Sequence, residues 1–463
     1  MEQNIVRLVA LEINNVKNVV HGALEFSSGR RGSILGIYGQ NGSGKTVVVD
    51  CMVLLKCLLC GKNIPPNYCH YIHCKSNTSN VKYCFQVKTK DSNIYAEYEV
   101  ELLKVEKNRF CLSGEKLSMK EQNEEERTKL TPVFEYRRGD KELFRPLKYY
   151  QYFMKNIELM VPLGIAKQAT EDFDEEKQKS EVTSFLFSKS AQEIFAKGPK
   201  ETRKIFMISN ILQSYGIKDL AVVENAHYGL LALNLDTIPL NVDWPESAKV
   251  KAAGVMLRLL EVNVVPKEVF SYIQGTIYQI NIVLKSLVPD VELELYNVFE
   301  KLMEDGRNGI QFEVVTKRNG MRIPLLYESA GIKKIISICS NLVACYNRET
   351  YCLVVDELDS GIYEYLLGEC LEVMQEKARG QLIFTSHNLR PLEVLRNEFL
   401  VYTTVNPEER YLKTSYIKNT QNTRLSYLRS IKLGGQKEKL YSETNIYEIE
   451  LAMKKAGRVN LHD

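Results

Sequence analysis

The chain has 463 residues, 44% hydrophobic and 26% charged, with a formal net charge of +3. That length suits ~3 domains or one large domain with inserts, and the composition is that of an ordinary globular protein with a large core. The charge is too small to imply nucleic acid by itself, no apolar run approaches the ~20 residues of a membrane span, and the 11 cysteines, several inside apolar stretches, fit reduced thiols better than a disulfide framework.

The opening "MEQNIVRLVALEI" carries no basic n-region and no small-residue cleavage site, so a cytoplasmic protein is expected. "NIVRLVALEI" and "GALEF" read as strands separated by the polar turn "NNVKN". "GSILGIYG" is a further apolar strand, followed by "QNGSGKT" and a helical apolar run from Val47 to Leu59. Past Pro65 and Pro66, "VKYCFQVKT" and "NIYAEYEVELLKV" alternate as strands about the turn "DSN".

From about Ser113 to Leu220 charged helical patterns dominate, as in "EKLSMKEQNEEERTK" and "AKGPKETRKIFMISNILQSYG", and a second helical block spans about Glu246 to Leu287. "GIQFEVVTKRNGMRIPLLY" predicts a hairpin turning at Arg318, Asn319 and Gly320. A helix comes next over Ile332 to Tyr346. Ile332, Ile335, Ile336, Cys339, Leu342, Val343 and Tyr346 make its buried face, and Lys333, Lys334, Ser337, Ser340 and Asn341 fall on the other side. The last third alternates strand "TYCLVVDE", helix "YEYLLGECLEVMQEKA", strand "GQLIFTSH", helix "RPLEVLRN" and strand "EFLVYTTV". No internal repeat and no extended coiled-coil pattern is present. The expected architecture is α/β, a mixed sheet with flanking helices and a largely helical insert. Residues 1–112 and 301–405 form its two halves, 113–300 the insert and 406–463 an extension.

The clearest chemistry lies in "GQNGSGKT", which satisfies G-x-x-x-x-G-K-[ST] between a strand and a helix. Gly39, Gln40, Asn41, Gly42, Ser43 and Gly44 would turn backbone N–H groups inward around phosphate oxygens, aided by the helix N-terminus. Lys45 would reach the β- and γ-phosphates, and Thr46 would offer its hydroxyl to Mg²⁺. A partner carboxylate should close an apolar strand, and "CLVVDE" does so at Asp356 and Glu357. Asp356 would hold Mg²⁺, directly or through water, while Glu357 orients or deprotonates the attacking water. The next strand ends in "TSH", which brings His387 to the same crevice beside the γ-phosphate. Ser329, Ala330 and Gly331 open the helix before the carboxylate strand. A serine N-cap followed by glycine leaves donors uncovered, a second anion site whose natural ligand is the γ-phosphate held by another copy.

In order, strand, GQNGSGKT, long insert, ESAG, LVVDELDSG and FTSH, this resembles the ABC-type ATPase heads of the SMC, RecF and OLD families, over about 1–60 and 320–405. "LEINNVKNV" also looks like their first strand and loop. The resemblance implies Walker A at Lys45 and Thr46, Walker B at Asp356 and Glu357, a D-loop at Asp359, a switch histidine at His387, and a reduced signature motif at Ser329 and Gly331 acting in trans. It further implies ATP and Mg²⁺ as ligands and head-to-tail self-association into a dimer or higher oligomer. The Q-loop glutamine has two candidates, Gln86 and Gln151. "LGGQ" at 433–436 lacks the serine and comes after the switch histidine, so it is set aside. The layout looks most like short stand-alone bacterial ATPases that accompany nucleases in anti-phage defence, which implies a separately encoded effector nuclease.

Two weaker patterns stay open. Cys57, Cys60, Cys69, His70, His73 and Cys74 read as buried thiols, with zinc as the alternative. Arg410 to Lys439 holds eight Lys/Arg and one acid with interleaved tyrosines, a solvated surface or a contact for DNA. A RecF-like DNA-binding repair ATPase is therefore the alternative function, and a nucleotide-binding scaffold without turnover is disfavoured by Glu357.

Overall fold

The computed structural model describes residues 4–26, 33–106, 109–122, 129–171, 182–224, 237–240, 255–259, 262–304, 306–413, 439–440 and 446–456. Strands β1 (Ile5–Val16) and β2 (Val19–Glu25) form a hairpin, and β3 (Ser33–Tyr38) leads into helix α1 (Lys45–Leu59). Strands β4 (Thr78–Lys88), β5 (Asn93–Glu106), β6 (Arg109–Glu121) and β7 (Thr131–Arg137) complete an antiparallel sheet in the order β2-β1-β4-β5-β6-β7. Its inner face arises from period-two alternation. Val81, Tyr83, Phe85 and Val87 of β4 and Ile94, Ala96, Tyr98, Val100 and Leu102 of β5 enter one core. Helix α1 lies against that core and buries Val47, Val48, Val49, Cys51, Met52, Leu54, Leu55, Leu58 and Leu59, far more than one stripe.

Helices α2 (Leu147–Met154), α3 (Ile157–Glu171), α4 (Lys189–Ala196) and α5 (Arg203–Lys218) come next, then strand β8 (Leu220–Val223). Strands β9 (Thr237–Leu240) and β10 (Val255–Arg258) pair with each other. They are succeeded by strand β11 (Asn263–Pro266), helix α6 (Lys267–Leu287) and strands β12 (Glu292–Leu302), β13 (Asn308–Arg318) and β14 (Met321–Pro324). The β13–β14 turn falls at Asn319 and Gly320, both with positive φ (47° and 79°), as the Asn-Gly pair predicts. The chain closes with α7 (Ala330–Asn347), β15 (Cys352–Val355), α8 (Glu364–Lys377), β16 (Gln381–Thr385), α9 (Pro391–Val394), β17 (Leu400–Thr403), β18 (Tyr411–Lys413) and α10 (Ile446–Ala456).

The central sheet runs β18-β17-β3-β16-β15-β8, with all neighbours parallel except β18 against β17. Every residue of β3, β15, β16 and β17 is buried. Alternate side chains serve opposite cores: Leu35, Ile37, Cys352, Val354, Ile383 and Val401 join the α1 side, while Ile34, Leu353, Val355, Leu382, Phe384 and Leu400 join α6, α7 and α8. This two-sided burial explains why these strands read as unbroken apolar runs. The mixed α/β architecture with flanking helices is therefore as expected.

Two helical readings need correction. "EKLSMKEQNEEERTK" is strand β6 as far as Glu121, and 123–128 lie outside the described residues. Its charge suggested a helix surface, but Glu115 is only 1% exposed. The Glu115 carboxylate accepts from Tyr98 Oη at 2.6 Å, from Phe185 N and Leu186 N at 3.0 Å each, and from Ser184 Oγ. In the block from Glu246, residues 246–254 and 260–261 lie outside the described residues, Val255–Arg258 and Asn263–Pro266 are strands β10 and β11, and a helix begins at Lys267. The Asn263 side chain closes the β10–β11 turn on both backbone groups of Arg258, at 2.7 and 2.9 Å. Between 113 and 300 the chain thus carries five helices among the described residues but also β8, which belongs to the central sheet.

A buried amide helps to stitch the antiparallel sheet to the central one. Gln381 of β16 accepts from Leu8 N at 2.9 Å and donates to Leu8 O at 2.8 Å, next to a register shift in β1 between Leu8 and Ala10. Gln381→Leu leaves both backbone groups unpaired in the core, so urea unfolding should show a loss of about 2–5 kcal/mol at unchanged m. A loss below about 1 kcal/mol would show that the stitch is dispensable.

Candidate functional site

Strands β3, β15 and β16 end side by side, and their carboxyl ends carry the three sequence motifs. After Tyr38 the chain turns through Gly39 to Gly44. Gly39 is required by space, since a Cβ there would lie 1.7 Å from Thr403 Oγ1. Gly44, the N-cap of α1, sits at φ 95°, a left-handed conformation that other residues rarely adopt. Ser43 Oγ donates to Gln40 O at 2.6 Å and meets Thr403 Oγ1 at 2.5 Å. Lys45 is buried and folds back across the loop, donating to Gly39 O at 2.8 Å and Gln40 O at 2.9 Å. Burial lowers its pKa, opposed by the charges of Asp356, Glu357 and Asp359. Asn41, Gly42 and Thr46 are exposed.

The loop is braced from two distant elements. Tyr411 Oη donates to Gly44 O at 2.8 Å, and Asn18, in the β1–β2 turn, donates to Gly42 O. Arg410 ties these braces together, donating to Asn18 O at 2.5 Å and to Thr404 O at 2.7 Å. Arg410 and Tyr411, read from sequence as the start of a basic surface, are thus spent inside the fold. Past β18, residues 414–438, including Arg424, Arg429, Lys432 and "LGGQ", lie outside the described residues.

Beyond β15, Asp356 is 4% exposed. Thr385, the last residue of β16, joins the carboxylate pair: its Oγ1 donates to Asp356 Oδ1 at 2.6 Å and accepts from Glu357 N at 2.7 Å. Glu357 sits at φ 46°, a conformation that costs a non-glycine residue and persists only when its surroundings enforce it. His387 Nε2 lies 3.8 Å from Glu357 Oε1. Asp359 accepts from His387 N at 3.2 Å and Asn388 N at 3.0 Å, so it fixes the backbone that carries the histidine. Lys45, Thr46, Asp356, Glu357, Thr385 and His387, with Lys17 and Asn18, line one cavity of about 350 Å³. Its hard oxygen donors, the Asp356 carboxylate and the Thr46 hydroxyl, suit Mg²⁺, which takes one or two protein oxygens and completes its shell from phosphate and water.

Ser329 and Gly331 do not line that cavity. Ser329 is the N-cap of α7 and is exposed, and its own hydroxyl accepts from Ile332 N at 3.3 Å, so one of the donors expected to be bare is covered. Gly331 has a reason within the chain to be glycine: a Cβ would lie 2.1 Å from Gly361 O. The rest of α7 departs from expectation. Lys334, Ser337, Ser340 and Asn341, placed by periodicity on an outer face, are all buried. Lys334 Nζ donates to Glu357 O at 2.5 Å. Burial lowers the Lys334 pKa to about 8, against the opposing pull of Asp359, Glu357 and Asp356.

Neither Q-loop candidate lines the cavity. Gln86 pairs with Arg7 and Tyr95 within the antiparallel sheet, and Gln151 is exposed on α2. The Cys/His cluster does not converge either: no group of three or more His, Cys, Asp or Glu among the described residues is placed to hold a metal ion. Cys57 lies on α1, where burial pushes its thiol up to about 11, Cys74 is exposed, and His73 Nδ1 meets Lys17 O at 2.6 Å. No helix of the described residues is long and apolar enough to cross a membrane.

No protein-family model and no curated protein matches the chain. Solved structures similar to it include an Smc head domain with an extended coiled coil, bound to the C-terminal domain of ScpA, from Pyrococcus furiosus. It has 10% identity and TM-score 0.40, over 88% of this chain and 96% of that one. An SmcHead bound to the C-winged helix domain of ScpA shares the same identity, TM-score and coverage of this chain, and 98% of its own. The SMC head domain from Thermotoga maritima has 14% identity and TM-score 0.37 over 88% of this chain and 99% of that one.

The Thr385 hydroxyl makes two buried bonds, so Thr385→Val should cost about 2–4 kcal/mol in urea unfolding, while Thr385→Ser, which keeps the hydroxyl, should cost about 1. Equal losses for the two variants would show that the methyl group, not the hydroxyl, matters there.

Proposed function

We propose that this chain is a magnesium-dependent ABC-type ATPase that works as a nucleotide-switched dimer or higher oligomer. One observation carries the reading: the Lys45 loop, the Asp356–Glu357 pair and His387, from three distant parts of the sequence, line a single cavity at the carboxyl ends of parallel strands, the usual ligand position in α/β sheets. Lys45 leaves the carbonyls of Gly39 and Gln40 to meet the β- and γ-phosphates, while the backbone N–H groups of 39–46 hold their oxygens. Asp356 and Thr46 hold Mg²⁺, whose chemistry is to neutralise charge building on the phosphates. Glu357 orients the attacking water and accepts its proton, and His387 faces the γ-phosphate. Ser329 and Gly331, outside the lining of their own chain's cavity, meet the γ-phosphate of a second copy, with Asp359 near the junction. The ATPase core in this reading is 1–112 with 301–405, joined by β8 from the 113–300 insert and followed by the 406–463 extension.

In the cell we infer a cytoplasmic regulator of anti-phage defence that controls a separately encoded effector nuclease. That step rests on the sequence layout. DNA-stimulated hydrolysis, with salt-sensitive binding of duplex DNA by the purified chain, would favour the RecF-like repair function instead.

Glu357→Gln should bind ATP with Mg²⁺ as the wild type does but hydrolyse it roughly 10²–10⁴-fold more slowly, with an ATP-bound oligomer accumulating in size-exclusion chromatography. Wild-type turnover by that variant would remove Glu357 from its role. Ser329→Arg should keep ATP binding and lose turnover, and mixing it with Lys45→Ala should restore part of it through the one intact composite site. Full activity of Ser329→Arg alone would sink the trans arrangement.

A further inference from the structure

We propose that Lys334 is a positioning residue that clamps the start of α7 to Glu357, so that what engages the end of that helix sets the carboxylate's aim. The inference rests on the ATPase reading above and adds the device that links its two halves.

Two contacts between α7 and the segment after β15 bear on Glu357. At the first turn, Gly331 packs on Gly361 so closely that any side chain at 331 would strike the Gly361 carbonyl. In the next turn, the Lys334 ammonium donates to the Glu357 carbonyl oxygen at 2.5 Å, and Ser360 N donates to the same oxygen at 3.0 Å. On its other side, Glu357 is pinned by Thr385 through its N–H. Its left-handed backbone is thus held at both its N–H and its carbonyl, and one of the two bonds to that carbonyl comes from α7. Lysine is a costly choice for a site only 3% exposed. Asp356, Glu357 and Asp359 supply the negative field that keeps a cation there.

The clamp turns the start of α7 into a lever. Ser329 and Ala330, at its exposed tip, lie within two turns of Lys334 on one rigid helix. A shift or rotation of that tip moves the Lys334 ammonium, and with it the Glu357 peptide that aims the carboxylate into the cavity. Glu357 would then stand in hydrolytic position only when the tip is seated. No contact between Lys334 and nucleotide is invoked, because Lys334 does not line the cavity.

The test uses the full-length chain and two variants. Lys334→Met removes the donor while keeping the length of the side chain, and Lys334→Arg keeps a donor. Fluorescent-nucleotide binding gives Kd for ATP, and steady-state hydrolysis gives kcat and KM. Lys334→Met should lose about 10- to 100-fold in kcat with Kd and KM within about two-fold, and Lys334→Arg should recover most of that loss, the split expected of a group acting on the hydrolytic step alone. The proposal falls if Lys334→Met keeps wild-type kcat, if Kd weakens in parallel with kcat, or if Lys334→Arg is no better than Lys334→Met. Should Lys334→Met fail to fold, Lys334→Gln, a neutral side chain too short to reach, is read by the same criteria. Absence of turnover in the wild type would overturn the ATPase reading and this inference with it. Wild-type turnover with an unaffected Lys334→Met overturns this inference alone.

Discussion

The central strands are sealed on both faces, and the rest of the site depends on that constraint. Side chains of β3, β15, β16 and β17 have no solvent to meet along their length, because alternate positions along each strand enter opposite cores. A strand buried in this way can present chemistry only where it ends. Since β16 lies between β3 and β15, its last residue necessarily stands between the phosphate loop and the carboxylate pair. Thr385 fills that place, and its hydroxyl bonds to the Asp356 side chain and the Glu357 backbone at once.

The phosphate loop is a second consequence of the same sheet. Its glycines allow the turn, but they do not by themselves hold it. Ser43 is anchored to Thr403 at the end of β17, and Gly44 is anchored to Tyr411 at the start of β18. Lys45 satisfies its ammonium on the carbonyls of its own loop. In the proposed reading the loop is preorganised for an anion by these braces, and Lys45 is the charged group that exchanges partners on binding. Most of the reorganisation cost of binding then falls on a single flexible side chain.

Reading the sequence found what local chemistry can encode. Gly39 to Thr46, Asp356, Glu357 and His387 come after apolar runs that only buried parallel strands require, so both motif and context were visible. The unread parts share one property: they are polar residues whose partners lie far along the chain. Lys334, Gln381, Glu115 and Arg410 look like surface residues by type, and each is buried against a partner that only the folded topology supplies. The misreading of β6 as helix has the same origin, since Glu115 occupies an inward position that an apolar residue would have marked. Periodicity found only part of the buried face of α7: Ile335, Ile336 and Cys339 are buried, Ile332, Leu342, Val343 and Tyr346 are half-buried, and Lys334, Ser337, Ser340 and Asn341, expected outside, are covered. The four-residue strand β8 was too short to register against its helical surroundings, although its place beside β15 completes the sheet. For Gly331 the sequence suggested an anion site, and the structure adds a packing reason in the Gly361 carbonyl.

The central claim is that the cavity at the strand ends is an ATP site. A structure of the wild-type chain with Mg²⁺ and a non-hydrolysable ATP analogue tests it most directly. The account predicts β- and γ-phosphates cradled by residues 39–46, the Lys45 ammonium moved off the Gly39 and Gln40 carbonyls onto them, and a metal ion between the phosphates, Thr46 and Asp356. Nucleotide bound elsewhere, or Lys45 still closing its own loop beside a bound nucleotide, would contradict it.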